Sequence, residues 1–123
     1  MDIVDNFNYT LESFINFMIE ISDDNDIIIY KKMILKILET EKEKAIEQYI
    51  INAIPYSKQI NDHDENYFIN MEFNDNEKYS VLKVLKFKDK FKTLNPENKE
   101  RIWEYLQVFL HYANEYYVKK YKI

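Results

Sequence analysis

Residues 95–117 read NPENKERIWEYLQVFLHYANEYY, and this stretch decides the fold class. Asn95 is a residue type that caps helix N-termini, and Pro96 suits the first helical position, where its missing N–H removes no hydrogen bond. The apolar and aromatic residues that follow recur at helical spacing and cover roughly 180°, which is wider than the ~100° stripe of an ordinary surface helix. We therefore predict a long helix that packs along most of its length. The arc consists of Ile102, Trp103, Tyr105, Leu106, Phe109, Leu110, Tyr112, Ala113, Tyr116 and Tyr117.

Further helices are predicted upstream, between breaks that are rich in Asn and Asp. Apolar spacing predicts one helix over residues 9–21 and a second over residues 26–39. Thr40 and Glu43 match the capping-box pattern, which predicts a third helix that ends before Pro55. Because the chain contains no glycine, we expect asparagine at left-handed backbone positions.

The signals from residue 55 to residue 92 are weaker. Short helical turns are indicated around Tyr67, and another helix start is indicated at residues 74–77. Residues 86–92 alternate lysine with Phe and Asp, which fits a short irregular or extended stretch, but no second strand is evident to pair with it. The sequence therefore predicts an all-α fold, a compact bundle of about five or six helices, in a single domain over residues 1–123.

Composition restricts the class of protein. With 46% hydrophobic and 32% charged residues, the chain is typical of a water-soluble globular domain. Its longest apolar run covers only residues 27–30, far short of the roughly 20 residues that span a bilayer. Cysteine is absent, and the first residues carry acids where a signal peptide carries basic side chains. We expect an intracellular protein that does not associate with membranes.

Candidate catalytic and metal-binding residues are few. Asp62-His63-Asp64-Glu65 superficially resembles a metal-ligand cluster, but adjacent residues point in different directions, so helix capping is the better interpretation. The acidic run at residues 23–26 lacks the alternating ligand spacing of a calcium loop. His111 falls on the polar face of the last predicted helix, and no serine has a histidine at a recognisable spacing. We therefore predict no catalytic residue, no metal ligand and no cofactor.

Charge divides the chain into two unlike halves. Residues 1–77 hold 17 acidic residues and 6 lysines, a net charge of −11, whereas residues 78–123 hold 5 acidic and 11 basic residues, a net charge of +6. The halves could neutralise each other within one domain, or the acidic half of one molecule could meet the basic half of another. The basic half could also bind nucleic acid, although the chain has a single arginine, Arg101, and a net charge of −5.

Two sets of candidate contact residues follow from these patterns. Tyrosine buries apolar area while keeping a polar tip, which suits protein interfaces, and five tyrosines lie on the last predicted helix. The predicted protein interface consists of Trp103, Tyr105, Phe109, Tyr112 and Tyr116. The alternative polyanion contact consists of Lys83, Lys86, Lys88, Lys90 and Lys92.

The same region carries a resemblance to a known group of proteins. Its segments are Leu85-Lys86-Phe87-Lys88-Asp89, Leu94-Asn95-Pro96-Glu97-Asn98-Lys99 and Ile102-Trp103-Glu104-Tyr105-Leu106-Gln107. They resemble uncharacterised small proteins of large eukaryotic, nucleocytoplasmic DNA viruses, in which a helix reads Asn-Lys-x-x-Ile-Trp-x-Tyr-Leu-Gln. Those proteins often carry glycine where this chain has Lys86. The resemblance implies residence in the host cytoplasm, in a viral factory or in a virion, and implies no catalytic activity.

The sequence as a whole predicts a non-enzymatic structural or scaffolding protein. It would act through protein–protein contact and could self-associate head to tail, since an acidic surface on one copy can meet a basic surface on the next. The alternative is a small accessory factor that contacts nucleic acid through the lysine-rich segment 83–92.

Overall fold

The computed structural model describes residues 2–22, 25–70 and 91–121, without the side chains of residues 68–70. The elements of these ranges are all helical, and no strand occurs among them, so the prediction of an all-α bundle of about five or six helices is confirmed. The elements are α1 (Ile3–Ser22), α2 (Asn25–Thr40), α3 (Lys44–Ala53), a 3₁₀ turn (Ile54–Tyr56), α4 (Ser57–Asn61), α5 (Glu65–Asn70) and α6 (Pro96–Tyr121).

Part of the sequence-based prediction lies outside the described residues. This applies to the helix start predicted at residues 74–77 and to residues 86–90 of the predicted extended stretch. Residues 91–93, which the structure does describe, are helical.

Side-chain caps begin three of the helices. The Asp5 backbone N–H donates to Asp2 Oδ1 at 2.8 Å at the start of α1. The Asn98 N–H donates to Asn95 Oδ1, also at 2.8 Å, so the predicted cap of α6 by Asn95 is present and is followed by Pro96. Asp64 caps α5 in the same way, through the N–H of Tyr67. Each cap satisfies a backbone donor that has no partner within its own helix.

The predicted capping box at Thr40 and Glu43 is wrong. Helix α2 continues through Thr40, and the Thr40 hydroxyl donates backwards to the carbonyl of Ile37 at 3.2 Å. Glu43 precedes α3 without making a side-chain cap hydrogen bond. Because Thr40 still has helical geometry, its hydroxyl bonds its own helix and not the next one.

A histidine takes the left-handed position that we expected of an asparagine. His63 follows α4 with a φ of 52°. Its N–H donates to the carbonyl of Ile60 at 3.2 Å, and the N–H of Asp64 donates to the carbonyl of Gln59 at 2.9 Å. This pair of bonds is a Schellman motif, which satisfies the last carbonyls of a helix and commonly has glycine at this position. Histidine is among the residues that enter the left-handed region more readily than most.

The core forms where α1 and α6 pack together. Helix α6 also contacts α3 and α4, whereas the main contacts of α2 are with α1 and α3. Aromatic rings at the centre meet edge to face, tilted or, for Tyr105 and Phe109, stacked, and such contacts stabilise the core beyond simple burial of area. The rings are Phe7, Phe14, Tyr49, Tyr105 and Phe109, with centroids 5.1–6.5 Å apart.

Candidate protein-contact surfaces

The five aromatic residues that were predicted as an interface pack within the chain. Trp103, Phe109 and Tyr116 are buried, and Tyr105 and Tyr112 are partly buried against the core. Their placement follows from the position of α6, because α1, α3 and α4 together cover its apolar arc. In this chain these residues therefore serve intramolecular packing, and their use in contact with another protein stays a prediction.

Trp103 lies beneath the histidine of the candidate metal cluster. The imidazole of His63 stacks on the indole with the ring centroids 5.2 Å apart and the planes 3° from parallel, and Phe91 meets the same indole edge-on at 5.7 Å. His63 Nδ1 lies 3.6 Å from a carboxylate oxygen of Glu100. Among the described residues, no three His, Asp or Glu side chains are gathered in an arrangement that could hold a metal ion.

Tyr116 joins the end of α6 to the start of α3. Its phenol donates toward carboxylate oxygens of Glu43 and Glu47, each at 3.2 Å. Lys120 donates to Glu47 at 3.0 Å and to the Tyr116 oxygen at 3.3 Å. Burial raises the pKa of the Tyr116 phenol, and its bonds to the two carboxylates raise the pKa further, against the opposing effect of Lys120. The phenol is therefore a proton donor at neutral pH.

An open groove of about 300 Å³ borders this network. The residues that line it are Asp2, Ile3, Val4, Glu43, Tyr116, Lys119 and Lys120. Three of them are already engaged in the hydrogen bonds between α3 and α6, and Asp2 accepts from Lys42 at 3.2 Å. These paired charges stabilise the place where the start of α3 meets the end of α6.

Among the described residues, lysines of the basic half form ion pairs with glutamates of the acidic half. Lys120 binds Glu47 at 3.0 Å, and Lys99 binds Glu65 at 2.7 Å. These pairs support the interpretation that the halves partly neutralise each other within one molecule. Lys83, Lys86, Lys88 and Lys90, the first four residues of the candidate polyanion contact, lie outside the described residues. The fifth, Lys92, is exposed.

The outer face of α2 leaves large apolar side chains exposed beside lysines. Ile29 is 64% exposed and Met33 is 41% exposed. With the exposed Lys32 and Lys36 they form a stripe at positions i, i+3, i+4 and i+7, which we call the α2 outer face. Residues 27–38 contain no acidic residue, and none of the ion pairs that the structure describes includes these lysines.

The outer face of α6 has the opposite charge. All four acidic residues of this helix are exposed, and they lie opposite its buried arc. Along this side, Glu104, Val108, His111, Glu115 and Val118 follow one another at helical spacing, and we call these five residues the α6 outer face. Val108 is 39% and Val118 is 48% exposed, and Nε2 of the exposed His111 lies 2.9 Å from Glu115 Oε1.

Sequence reasoning missed the α2 outer face and the exposed valines of the α6 outer face. The signal was present in α2, where Ile28, Ile29 and Met33 remain after the inward-facing residues have been assigned. In α6 the polar face around His111 was predicted, but Val108 and Val118 within it were not, and the net positive charge of the C-terminal half gave no sign of a local acidic surface. The two patches become visible when residues are sorted by helix face, and not when charges are summed along the chain.

The chain is similar to a protein of a large DNA virus. It is 26% identical over 102 residues to an uncharacterised protein, R465, of Acanthamoeba polyphaga mimivirus, a match that covers 79% of this chain and 57% of the viral protein. The chain thus spans little more than half the length of that relative. No family model and no solved structure matches. The expected resemblance to proteins of large DNA viruses is confirmed at this level.

Within the described ranges, no helix has the length and apolar content needed to cross a membrane.

Proposed function

We propose that this protein is a non-enzymatic structural or scaffolding component that acts through protein–protein contact and self-associates head to tail. We propose a viral factory or a virion as its location, because the chain is similar to the mimivirus protein.

The observation that carries the proposal is the α2 outer face. Ile29 and Met33 lie one helical turn apart and are both exposed, on a helix whose other side is anchored to α1 and α3. Exposed apolar side chains that are grouped and rimmed by charge are typical of a contact surface, whereas scattered ones are ordinary. A scaffold also needs no catalytic group, and Glu43, Tyr116 and Lys120 at the groove already take part in the hydrogen bonds between α3 and α6.

The test is the molar mass of the 123-residue chain, measured by sedimentation velocity between 5 and 200 μM at about 50 mM and about 500 mM NaCl. Self-association predicts a mass that rises with concentration and more steeply at low salt. A monomer at every concentration and both salt levels would contradict the proposal.

The alternative, nucleic-acid contact through the lysines of segment 83–92, is open to a parallel test. Fluorescence anisotropy with labelled DNA and RNA would detect binding. Binding that occurs only below about 50 mM salt would show that the contact is non-specific charge attraction.

A further inference from the structure

We propose that the α2 outer face of one molecule binds the α6 outer face of a second copy. This inference rests on the proposed self-association and names the two surfaces that carry it. It replaces the idea of one acidic half against one basic half with a contact between two specific helices.

Charge complementarity carries the proposal. The α2 outer face presents Lys32 and Lys36, and the nearest acidic residues on this helix are at its ends, Asp26 and Glu39. The α6 outer face presents Glu104 and Glu115. The potentials of these two faces attract each other, and each face repels a copy of itself.

The apolar side chains of the two faces are also matched in kind. Met33 lies between Lys32 and Lys36, with Ile29 one turn before it, and Val108 lies between the two glutamates, so each face combines apolar side chains with charges of one sign. Desolvated apolar centres with charged rims are the usual organisation of protein interfaces.

The two faces belong to different helices of the bundle, which share α1 and α3 as neighbours. The main contacts of α2 are with α1 and α3, whereas α6 contacts α1, α3 and α4. Because the paired surfaces are unlike, the contact is heterologous, and successive copies can add in a ring or in an open chain.

Charge-reversal variants test the surfaces directly. Lys32→Glu/Lys36→Glu and Glu104→Lys/Glu115→Lys should each weaken self-association by about tenfold or more, because each places like charges against one another. The quadruple variant, in which both faces are reversed, should associate within about threefold of the wild type. An equimolar mixture of the two double variants should also associate within about threefold of the wild type, because the reversed face of one variant attracts the unlike reversed face of the other.

A matched control separates surface charge from net charge. Lys44→Glu/Lys58→Glu makes the same change in net charge at two exposed lysines outside the α2 outer face and should leave the dissociation constant within about twofold. Ile29→Gln, which changes no charge, should weaken association about fivefold by removing an apolar contact. Circular dichroism on every variant establishes that the helical fold is intact.

The outcomes distinguish the pairing of the α2 and α6 outer faces from self-association in general. If the wild type associates but the quadruple variant and the mixture do not recover, the pairing of faces is overturned while self-association stands. If the wild type is monomeric throughout, both are overturned. If the chain is monomeric and sediments with phosphatidylserine-containing vesicles, and Lys32→Glu/Lys36→Glu abolishes that binding, the α2 outer face belongs to a lipid surface and the proposal fails.

Discussion

Helices α2 and α6 both carry many apolar residues, but α6 buries most of them whereas α2 leaves several exposed. Helix α6 buries seven side chains between Ile102 and Tyr116, whereas α2 buries Ile27 and Tyr30 only. Both carry apolar residues on the outside, but those of α2 lie among lysines and those of α6 lie among glutamates. The difference shows that the apolar content of a helix does not tell which of its faces the fold covers.

The position of each helix in the fold explains this contrast. Three helices pack against one side of α6, so most of its wide arc of apolar side chains is buried. Helix α2 lies at the edge, and the side that faces away from α1 and α3 keeps its isoleucines and its methionine in solvent. Four sets of variants examine this comparison.

The largest effect is expected from the core of α6. Phe109→Ala should destabilise the fold by about 3–5 kcal/mol, because it removes a ring that contacts Phe7, Phe14 and Tyr49. Ile29→Ala on the α2 outer face should change the free energy of unfolding of the monomer by about 0.5 kcal/mol or less. Urea denaturation at low protein concentration measures both. A loss of stability in Ile29→Ala comparable to that in Phe109→Ala would mean that the outer face of α2 is covered. Phe109→Leu, with an expected loss of about 1 kcal/mol, serves if the alanine variant does not fold.

The caps of the two helices should differ as well. Asn95→Ala removes the side-chain acceptor for the Asn98 N–H and should cost about 1 kcal/mol. Thr40→Ala, at the end of α2, should cost less than about 0.5 kcal/mol because its hydroxyl caps no helix N-terminus. Thermal and urea unfolding of both variants are the measurement. A larger loss for Thr40→Ala would revive the capping-box prediction.

Two phenols, one buried and one partly buried, extend the comparison to hydrogen bonding. Tyr49 donates to the Leu106 carbonyl of α6 at 2.8 Å, whereas the Tyr30 hydroxyl of α2 has no hydrogen-bond partner among the described residues. Burial raises the pKa of both phenols. Tyr49→Phe should destabilise the fold by about 1 kcal/mol, whereas Tyr30→Phe should be neutral or stabilise it by up to about 1 kcal/mol, because it removes an unpaired polar group. Equal losses in the two variants would show that Tyr30 is also bonded.

The smallest effect concerns pH. Hydrogen bonds from Lys120 and Tyr116 hold the pKa of Glu47 below its ordinary value. A carboxylate with a lowered pKa stabilises the folded state above its ordinary pKa and loses that contribution as the pH falls through the lowered value. Stability should therefore decline slightly between about pH 5 and pH 3, by about 0.3 kcal/mol, since the pair is partly exposed.

Glu47→Gln should flatten this part of the pH profile, and Lys36→Gln, an α2 variant without an ion pair among the described residues, should leave it unchanged. Chemical denaturation at half-unit pH steps is the measurement. An unchanged profile in Glu47→Gln would show that the ion pair makes no contribution to folding.

Some of these features could be predicted from local sequence. The Asn95 cap, Pro96 and the apolar spacing after them define α6 because they act within one or two helical turns. The same locality explains the failure at Thr40, where the pattern fits a cap but the preceding helix extends one residue further and includes Thr40. The left-handed His63 had no local signal, since its stacking partner Trp103 lies 40 positions away in the chain.

The sequence by itself determined that this protein is helical, where its long C-terminal helix begins, and most of the residues on the apolar side of that helix, although Tyr117, which the spacing placed there, is exposed. Only the tertiary structure decided that Trp103, Phe109 and Tyr116 are covered by the chain itself. It also decided that the acidic half displays a basic helix face and the basic half an acidic one. The physical reason is range: helix periodicity and capping depend on neighbours a few residues away, whereas burial and surface charge depend on which helices meet in space.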